Sequence, residues 1–120
     1  MNKKTVVIGA SAKEDRYSNR AVRMLKKHGH DVNALGFEPK TIEDIPIETD
    51  WKKYEGVDTV SLYLNPQRQK EYYSYILSLH PKRIIFNPGT ENLELEKMAL
   101  QENIQSLEAC TLVLLSTEQY

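Results

Sequence analysis

Short apolar runs alternate with helix-like segments along the chain, and this alternation constrains the fold more than any other sequence feature. The first run, Val6-Val7-Ile8, is β-branched and is followed by Gly9-Ala10-Ser11, which is typical of a buried strand that leaves its sheet through a tight turn. Ser18 then follows as a candidate helix cap, and Gly29 ends a segment whose apolar residues share one side. A strand, a glycine turn and a helix form half of a βαβ unit.

Four further apolar runs predict four further strands. They cover residues 31–37, 59–64, 83–86 and 104–107. Asn65-Pro66 places a capping residue directly before a proline at the first helical position, so we expect a long helix that Pro81 ends. Another helix is predicted over residues 92–103, where glutamates lie near the positive end of the helix dipole.

Two segments have a weaker pattern. Residues 41–56 are polar, contain Pro46 and show no sustained period. They predict a connection with one helical turn near Ile42 and another near Trp51. Residues 110–115 form a last apolar element whose type the pattern leaves open.

Strands that alternate with helices predict one mainly parallel sheet with helices on both of its faces. The sequence therefore indicates a single domain over residues 1–120, with a three-layer α/β fold of the Rossmann-like kind and a five-stranded sheet. Right-handed crossovers favour the strand order 3-2-1-4-5. A ligand crevice is expected where the direction of winding reverses, outside the C-terminal ends of the first and fourth strands.

Charge and cysteine content exclude several classes of protein. Sixteen Lys and Arg against 17 Asp and Glu give a net charge of -1, so no basic excess favours a nucleic acid. Cys110 is the only cysteine, which excludes an internal disulfide and fits a reducing compartment. The apolar run near the N-terminus is too short to span a membrane, and no export signal is evident. We therefore expect a cytoplasmic protein that binds neither nucleic acid nor membrane.

The predicted topology brings four loops to one edge of the sheet, at residues 9–18, 36–40, 63–66 and 87–91. Gly9 permits a close approach of backbone to ligand, and the free N–H groups at the helix start near Ser18 favour an anion such as phosphate. The alternative is that Gly9 only makes the turn and that Ser18 only caps the helix. Both interpretations stay open at this point.

The glycine pattern of dinucleotide-binding folds is not met, because Gly9 is followed by no second or third glycine in the loop. Glu38 could still hold a ribose hydroxyl, as an acid does in nicotinamide-binding folds. Lys40 instead favours a ligand with an additional phosphate. For each of these two side chains, a solvated surface residue is the commoner outcome.

Five motifs taken together resemble the small CoA-binding domain proteins, which are similar to the N-terminal domain of the succinyl-CoA synthetase α subunit. The resemblance extends in order over nearly the whole chain, and the Asn-Pro-Gly turn with its following Glu-Asn is the most specific element. The motifs are Val6-Val7-Ile8-Gly9-Ala10-Ser11, Arg16-Tyr17-Ser18-Asn19, Asn65-Pro66, Asn87-Pro88-Gly89 with Glu91-Asn92, and Cys110-Thr111.

The resemblance implies that the chain binds CoA or an acyl-CoA and assigns residues to each part of it. Residues implied at the diphosphate are Gly9, Ala10, Ser11 and Ser18; those at the adenosine end are Phe37 and Lys40. Tyr63, Asn65 and Pro66 would wall the site, and the Asn87 turn would bring Pro88 and Gly89 near the pantetheine arm. Lys13 and Arg16 would offset the negative charge that Glu14 and Asp15 add to the first loop.

No catalytic or metal-binding set of residues stands out. His28, His30 and His80 lie near helix ends, at the edge of the sheet opposite the expected site, where a charged imidazole favours the helix dipole. Cys110 precedes an apolar run and is interpreted as a buried small hydrophobe. We therefore expect a non-catalytic binding module without a metal.

Two alternatives remain for the function, and one further interaction is indicated. The first alternative is a nicotinamide-dependent oxidoreductase that uses Glu38, and the second is an interaction subunit that has lost its ligand. Tyr72, Tyr73 and Tyr75 widen the apolar side of the long helix, and Leu93 and Leu100 lie on the outer side of the helix that follows. Such surfaces favour a homodimer.

Overall fold

Seven strands form one sheet in the computed structural model, which describes residues 2–120. Their order is β3-β4-β2-β1-β5-β6-β7, and every neighbouring pair is parallel except the short hairpin of β3 and β4. The strands are β1 (Thr5–Ala10), β2 (Val32–Gly36), β3 (Thr41–Ile42), β4 (Ile45–Glu48), β5 (Thr59–Leu62), β6 (Arg83–Phe86) and β7 (Gln105–Glu108).

Five helices and one 3₁₀ turn connect the strands. They are α1 (Tyr17–Lys27), α2 (Pro66–Gln69), the 3₁₀ turn (Lys70–Tyr72), α3 (Tyr73–Ser78), α4 (Leu93–Gln101) and α5 (Thr111–Ser116). The long helix expected before Pro81 is thus divided into two short helices by a 3₁₀ turn. The last apolar element, whose type the sequence left open, is a helix.

The expected five-stranded sheet with the order 3-2-1-4-5 is wrong in the number of strands and in the place of the third. β4 lies within the segment that was predicted to be a connection, and it pairs parallel with β2. β5, the third strand of the prediction, lies beside β1, in the place that the fourth strand was expected to take. The helical turns predicted near Ile42 and Trp51 are also absent, because Ile42 belongs to β3 and Trp51 lies in no helix or strand.

The sequence signal for β4 is short. Only Ile45 and Ile47 alternate with polar or proline positions, and the strand covers four residues. Ile47 is buried against β2, whereas Pro46 is exposed and pairs with Thr41 of the hairpin. The strand tolerates a proline at this position because β4 lies near the edge of the sheet, where few ladder hydrogen bonds are needed.

The two faces of the sheet have separate cores. Val6 and Ile8 of β1 point to the face that α3 and α4 cover, where Leu95 is fully buried. Val7 points to the other face and packs under α1 and α5, where Leu25 is also fully buried. This alternation follows from the two-residue period of a strand.

The direction of winding reverses between β1 and β5, because the chain builds β2 and β4 on one side of β1 and β5 to β7 on the other. The crevice therefore lies outside the C-terminal ends of β1 and β5, and not outside those of β1 and β6 as the sequence predicts. Among residues 2–120, no helix is long and apolar enough to cross a lipid bilayer.

Candidate functional site

A cleft of about 330 Å³ opens at the C-terminal ends of β1, β2 and β5. A second cavity of about 230 Å³ shares four of its residues and extends toward the start of α1. The larger cleft is lined by Gly9, Ala10, Ser11, Ala12, Arg16, Phe37, Glu38, Ile47, Tyr63, Leu64 and Arg68. The smaller cavity adds Tyr17 and Ser18.

Two glycines let the strand ends approach one another at the base of the cleft. Gly9 has a φ of +97°, and a Cβ there would lie 3.0 Å from the carbonyl carbon of Tyr63. The pairing of β1 with β2 shifts between Ile8 and Ala10, so Gly9 forms a bulge in β1. A Cβ at Gly36 would lie 2.5 Å from the carbonyl oxygen of Ala10. Any larger residue at either glycine would have to move the backbone that forms the base of the cleft.

The loop after β1 is held by side chains of α1. Asn19, which is buried, donates from Nδ2 to the carbonyl oxygen of Ser11 over 2.9 Å. Arg23 donates to Asn19 Oδ1 over 2.7 Å and to the carbonyl oxygen of Glu14 over 3.0 Å. The hydroxyl oxygen of Ser11 accepts a hydrogen bond from the backbone N–H of Lys13 at 3.2 Å. These bonds fix the shape of the loop before any ligand enters.

The N-terminus of α1 faces this loop, but Ser18 does not cap it as predicted. The helix begins at Tyr17 with Arg16 at the capping position, and Ser18 is buried within the first turn. Within residues 2–120, no side chain accepts from the first backbone N–H groups of α1. These N–H groups and the helix dipole make this end of the cleft suitable for an anion.

Two arginines add positive charge to the cleft. Arg16 lies at the start of α1 and Arg68 lies in α2, so the two guanidinium groups come from different elements. The Arg68 guanidinium lies 4.1 Å from the centre of the Phe37 ring, which is a cation–π contact. Asn65 Oδ1 accepts from the backbone N–H of Arg68 over 2.9 Å, so the cap of α2 fixes the backbone that carries this arginine.

The acidic residues of the loop lie outside the cleft. Glu14 and Asp15 are exposed and do not line it, and neither does Lys13. Glu38 does line the cleft, and the exposed Lys40 lies beside it with 3.5 Å between Nζ and Oε2. The negative charge of Glu38 and the positive charge of Lys40 offset each other at the mouth of the cleft.

Tyr63 follows β5 and forms one wall of both cavities. Its backbone N–H donates to the carbonyl oxygen of Ile8 over 2.8 Å, which fastens the wall to β1. Burial raises the pKa of the Tyr63 hydroxyl well above its ordinary value. The hydroxyl therefore stays neutral at physiological pH.

The Asn87 turn reaches the same edge of the sheet but does not line the cleft. Asn87 is 1% exposed and donates from Nδ2 to Ser61 Oγ and to the carbonyl oxygen of Leu62, both over 3.0 Å. Its Oδ1 accepts from the backbone N–H of Thr111 over 2.8 Å. Asn87 therefore joins the ends of β5 and β6 to the start of α5.

A buried glutamine connects this turn to the cleft. Gln69 is fully buried and donates from Nε2 to the carbonyl oxygens of Leu64 and Thr90, each over 2.8 Å. Its Oε1 accepts from Asn92 Nδ2 over 2.8 Å. Leu64 lines the cleft and Thr90 belongs to the Asn87 turn, so one side chain fixes both loops.

Half of the site residues predicted from the sequence lie at the cleft. Those that line one of the two cavities are Gly9, Ala10, Ser11, Arg16, Ser18, Phe37 and Tyr63. Those that line neither are Lys13, Lys40, Asn65, Pro66, Asn87, Pro88 and Gly89. Asn87 and its neighbours lie away from the cleft because β6 is separated from β1 by β5.

Sequence reasoning did not single out five residues that line the cavities, although three of them lie in predicted site loops. They are Ala12, Tyr17, Ile47, Leu64 and Arg68. Ile47 was missed with its strand, β4. Arg68 had a usable signal, since it is a basic residue in the first turn of a helix that starts at a predicted site loop.

An aromatic cluster borders the cleft at Phe37. Trp51 packs between Phe37 and Tyr72, with ring centroids 5.5 and 4.6 Å away, and Tyr75 lies 5.5 Å from Trp51. The indole N–H of Trp51 donates to the carbonyl oxygen of Gly36 over 3.2 Å. The segment after β4 thus covers two of the three tyrosines that were expected to widen an exposed surface.

The histidines and the cysteine lie outside the cleft. His30 Nδ1 accepts from the backbone N–H of Lys3, before β1, and burial lowers its pKa. His80 precedes β6 and has a φ of +47°, in the turn that ends α3. Cys110 is half-buried rather than buried, and it precedes α5.

A family model described as CoA binding domain matches residues 3–116 of the chain. None of the curated proteins compared with the chain matches it. The matched residues include every strand and helix of the fold.

Solved structures agree with the fold. A crystal structure of an uncharacterized protein is 45% identical, has a TM-score of 0.97, and aligns over 100% of this chain and 99% of that one. A structure from Thermus thermophilus is 19% identical over 98% of this chain and 90% of its own, with a TM-score of 0.82. A hypothetical protein from Pyrococcus horikoshii OT3 is 24% identical over 92% and 80%, with a TM-score of 0.81. The last two similarities show the fold alone.

Proposed function

The chain belongs to the CoA binding domain family, and from this premise we propose that its cleft binds CoA or an acyl-CoA without making or breaking a bond in it. One observation carries the proposal. Gly9, the uncapped start of α1 and two arginines all lie at the same cleft. The proposed role is to carry, deliver or sense the ligand in the cytoplasm, a reducing compartment that suits a chain with one free cysteine.

The chemistry of CoA matches the charges in the cleft. CoA carries a diphosphate and a separate phosphate on its ribose, so it needs positive charge at more than one point. The backbone N–H groups of α1 and Arg16 support the diphosphate at one end. Arg68 and Phe37 offer a charge and a flat apolar ring at the other.

The absence of a catalytic role is supported by the groups that line the cleft. Its ionisable side chains are those of Arg16, Glu38, Tyr63 and Arg68. Burial raises the pKa of Tyr63, which makes that hydroxyl a poor base near neutral pH. Glu38 is exposed and lies beside Lys40, so its carboxylate is solvated and has a counter-ion. Among residues 2–120, no nucleophilic side chain that lines the cleft is hydrogen-bonded to a general base.

A nicotinamide dinucleotide is the competing ligand, because Glu38 follows β2 and lines the cleft. An acid at this point of the fold can accept hydrogen bonds from the ribose hydroxyls of such a cofactor. Arg68 opposes this alternative, since its positive charge beside Phe37 favours a phosphate at the same end. The two ligands can be separated by direct measurement.

Isothermal titration calorimetry with CoA, acetyl-CoA, adenosine diphosphate and NADH tests the proposal. We expect CoA and acetyl-CoA to bind with similar affinity, adenosine diphosphate more weakly and NADH weakest. Arg16→Ala should weaken CoA binding by about tenfold, because it removes a charged partner of the diphosphate. Arg20→Ala is the matched control, since Arg20 lies on the same helix but does not line the cleft.

Either of two results would reject the proposal. CoA and acetyl-CoA could give no heat at millimolar concentration, or NADH could bind more tightly than CoA and lose its affinity in Glu38→Ala. Turnover of acetyl-CoA by the purified chain, followed by release of the free thiol, would contradict the non-catalytic part alone.

A further inference from the structure

Arg68 brings a positive charge to the cleft that its own chain leaves unmatched. The residue is exposed, and its side chain lines the larger cleft. Its guanidinium makes no ion pair with any carboxylate of residues 2–120. A guanidinium carries five N–H donors in one plane and stays charged at any physiological pH. Arg68 is therefore able to receive an anionic group of a ligand.

The position of this guanidinium is fixed although the residue is exposed. The backbone N–H of Arg68 donates to Asn65 Oδ1, and the guanidinium lies 4.1 Å from the centre of the Phe37 ring. The Phe37 ring is itself packed, with the ring centroids of Trp51 and Tyr72 at 5.5 and 6.1 Å. A ring orients the arginine without neutralising it, because a cation–π contact adds no opposite charge.

Lys40 is the other cation near this end of the cleft, and the sequence favours it for an additional phosphate. In the structure Lys40 lines neither cavity. Its Nζ lies 3.5 Å from Oε2 of Glu38, which does line the larger cleft. Lys40 thus offsets the carboxylate of Glu38, and the charge that remains for a phosphate at this end comes from Arg68.

The second arginine lies toward the other end of the cleft. Arg16 lines both cavities and begins α1, whereas Arg68 and Phe37 line the larger cleft alone. A ligand that matches both arginines therefore carries two anionic groups that lie apart. CoA has such groups, since its diphosphate and the phosphate on its ribose are attached to different carbons of the sugar.

We propose that Arg68 binds the ribose phosphate of CoA and makes the cleft select CoA over dephospho-CoA, the form that lacks this phosphate. The inference rests on the proposed function and deepens it, because a cleft can bind CoA without reading the ribose phosphate. A planar guanidinium suits this role, since it can donate two parallel hydrogen bonds to one phosphate. Arg68 is thus the residue that determines specificity, and Lys40 is not.

Isothermal titration calorimetry with CoA and dephospho-CoA tests the role of Arg68. The unaltered chain should bind CoA about tenfold more tightly than dephospho-CoA. Arg68→Met should lose this preference, because CoA affinity falls about tenfold while dephospho-CoA affinity stays within about twofold. Lys40→Met makes a similar exchange at a neighbouring cation outside the cleft, so it should keep the preference. Far-ultraviolet circular dichroism checks that both variants fold.

The two ligands separate this inference from the proposed function. If neither CoA nor dephospho-CoA binds to the unaltered chain, the proposed function fails and the role of Arg68 fails with it. If both bind with equal affinity, the cleft still binds CoA, but the role of Arg68 is refuted. Equal weakening of both ligands in Arg68→Met would show a merely structural effect and would also refute it. Loss of the preference in Lys40→Met instead would assign the ribose phosphate to Lys40.

Discussion

The loop after β1 and the turn after β6 look alike in the sequence, but they have opposite roles in the molecule. Both follow a buried parallel strand at the same edge of the sheet, and each has a glycine nearby, Gly9 in the bulge near the end of β1 and Gly89 in the turn after β6. Gly9 and Ser11 line an open cleft, whereas Asn87 is buried and makes three side-chain hydrogen bonds to β5 and α5. A polar loop motif can thus either line an open cleft or be closed by its own hydrogen bonds, and the free hydrogen-bonding groups distinguish the two.

The largest effect is expected from Asn87→Leu. The substitution removes three hydrogen bonds and leaves the Thr111 N–H and the Leu62 carbonyl buried without a partner. We expect the free energy of unfolding to fall by about 3 to 5 kcal/mol, measured by urea denaturation. Pro88→Ala changes an exposed residue of the same turn and should cost less than about 1 kcal/mol. Equal losses in the two variants would show that the Asn87 side chain does not anchor the turn.

Gly9→Ala should have the next largest effect, and it should alter binding as well as stability. The new Cβ would meet the Tyr63 backbone at 3.0 Å and require a φ of +97° from an alanine. We expect a loss of about 2 to 3 kcal/mol in unfolding free energy and at least about tenfold weaker CoA binding.

Gly29→Ala is the control for Gly9→Ala. It separates the strain of a positive φ from the steric contact with Tyr63. Gly29 also has a positive φ, of +83°, but a Cβ there meets nothing within 4 Å. It should cost about 1 kcal/mol and leave CoA affinity unchanged. If both glycine variants lost equal stability and kept equal affinity, the close approach of Tyr63 would have no role in the cleft.

Gln69→Leu tests the connection between the two regions. The variant keeps the volume of the buried side chain but leaves the carbonyl oxygens of Leu64 and Thr90 without a donor. We expect a loss of about 2 kcal/mol in urea denaturation and a change of about threefold in CoA affinity. Gln67→Leu, an exposed position in the same helix, is the control and should leave both quantities nearly unchanged. An unchanged affinity in Gln69→Leu would show that the cleft is independent of the turn.

How much of the fold and of the cleft the sequence predicts depends on the strength of each local signal. β1, its glycine turn and the Asn65 cap were predicted because each depends on residues adjacent in the chain. β4 was not, because Ile45 and Ile47 give too short an alternation, and its pairing with β2 is a tertiary contact. That omission misplaced β5 in the strand order, so the sequence put the Asn87 turn beside the end of β1, whereas β5 separates the two in the structure. Arg68 reaches the cleft only because β5 lies beside β1.

The smallest effect is expected from Arg68→Lys, which keeps the positive charge of the cleft. Lysine lacks the planar guanidinium that lies 4.1 Å over the Phe37 ring, and it cannot make two parallel hydrogen bonds to a phosphate. CoA affinity should fall by about threefold to fivefold, with a stability change within about 0.5 kcal/mol.

Phe37→Leu provides the partner variant for a double-mutant cycle on this contact. If the ring acts on the ligand through Arg68, the two substitutions together should weaken CoA binding by less than the product of their separate effects. Strictly multiplicative effects would show that Phe37 and Arg68 contact the ligand independently. Because Phe37 follows β2 and Arg68 follows β5, coupling between them would also show that the ends of these two strands act on one ligand. A mild substitution in the Asn87 turn, such as Pro88→Ala, should leave the coupling between Phe37 and Arg68 unaltered. This is the sharpest functional distinction between the two loops.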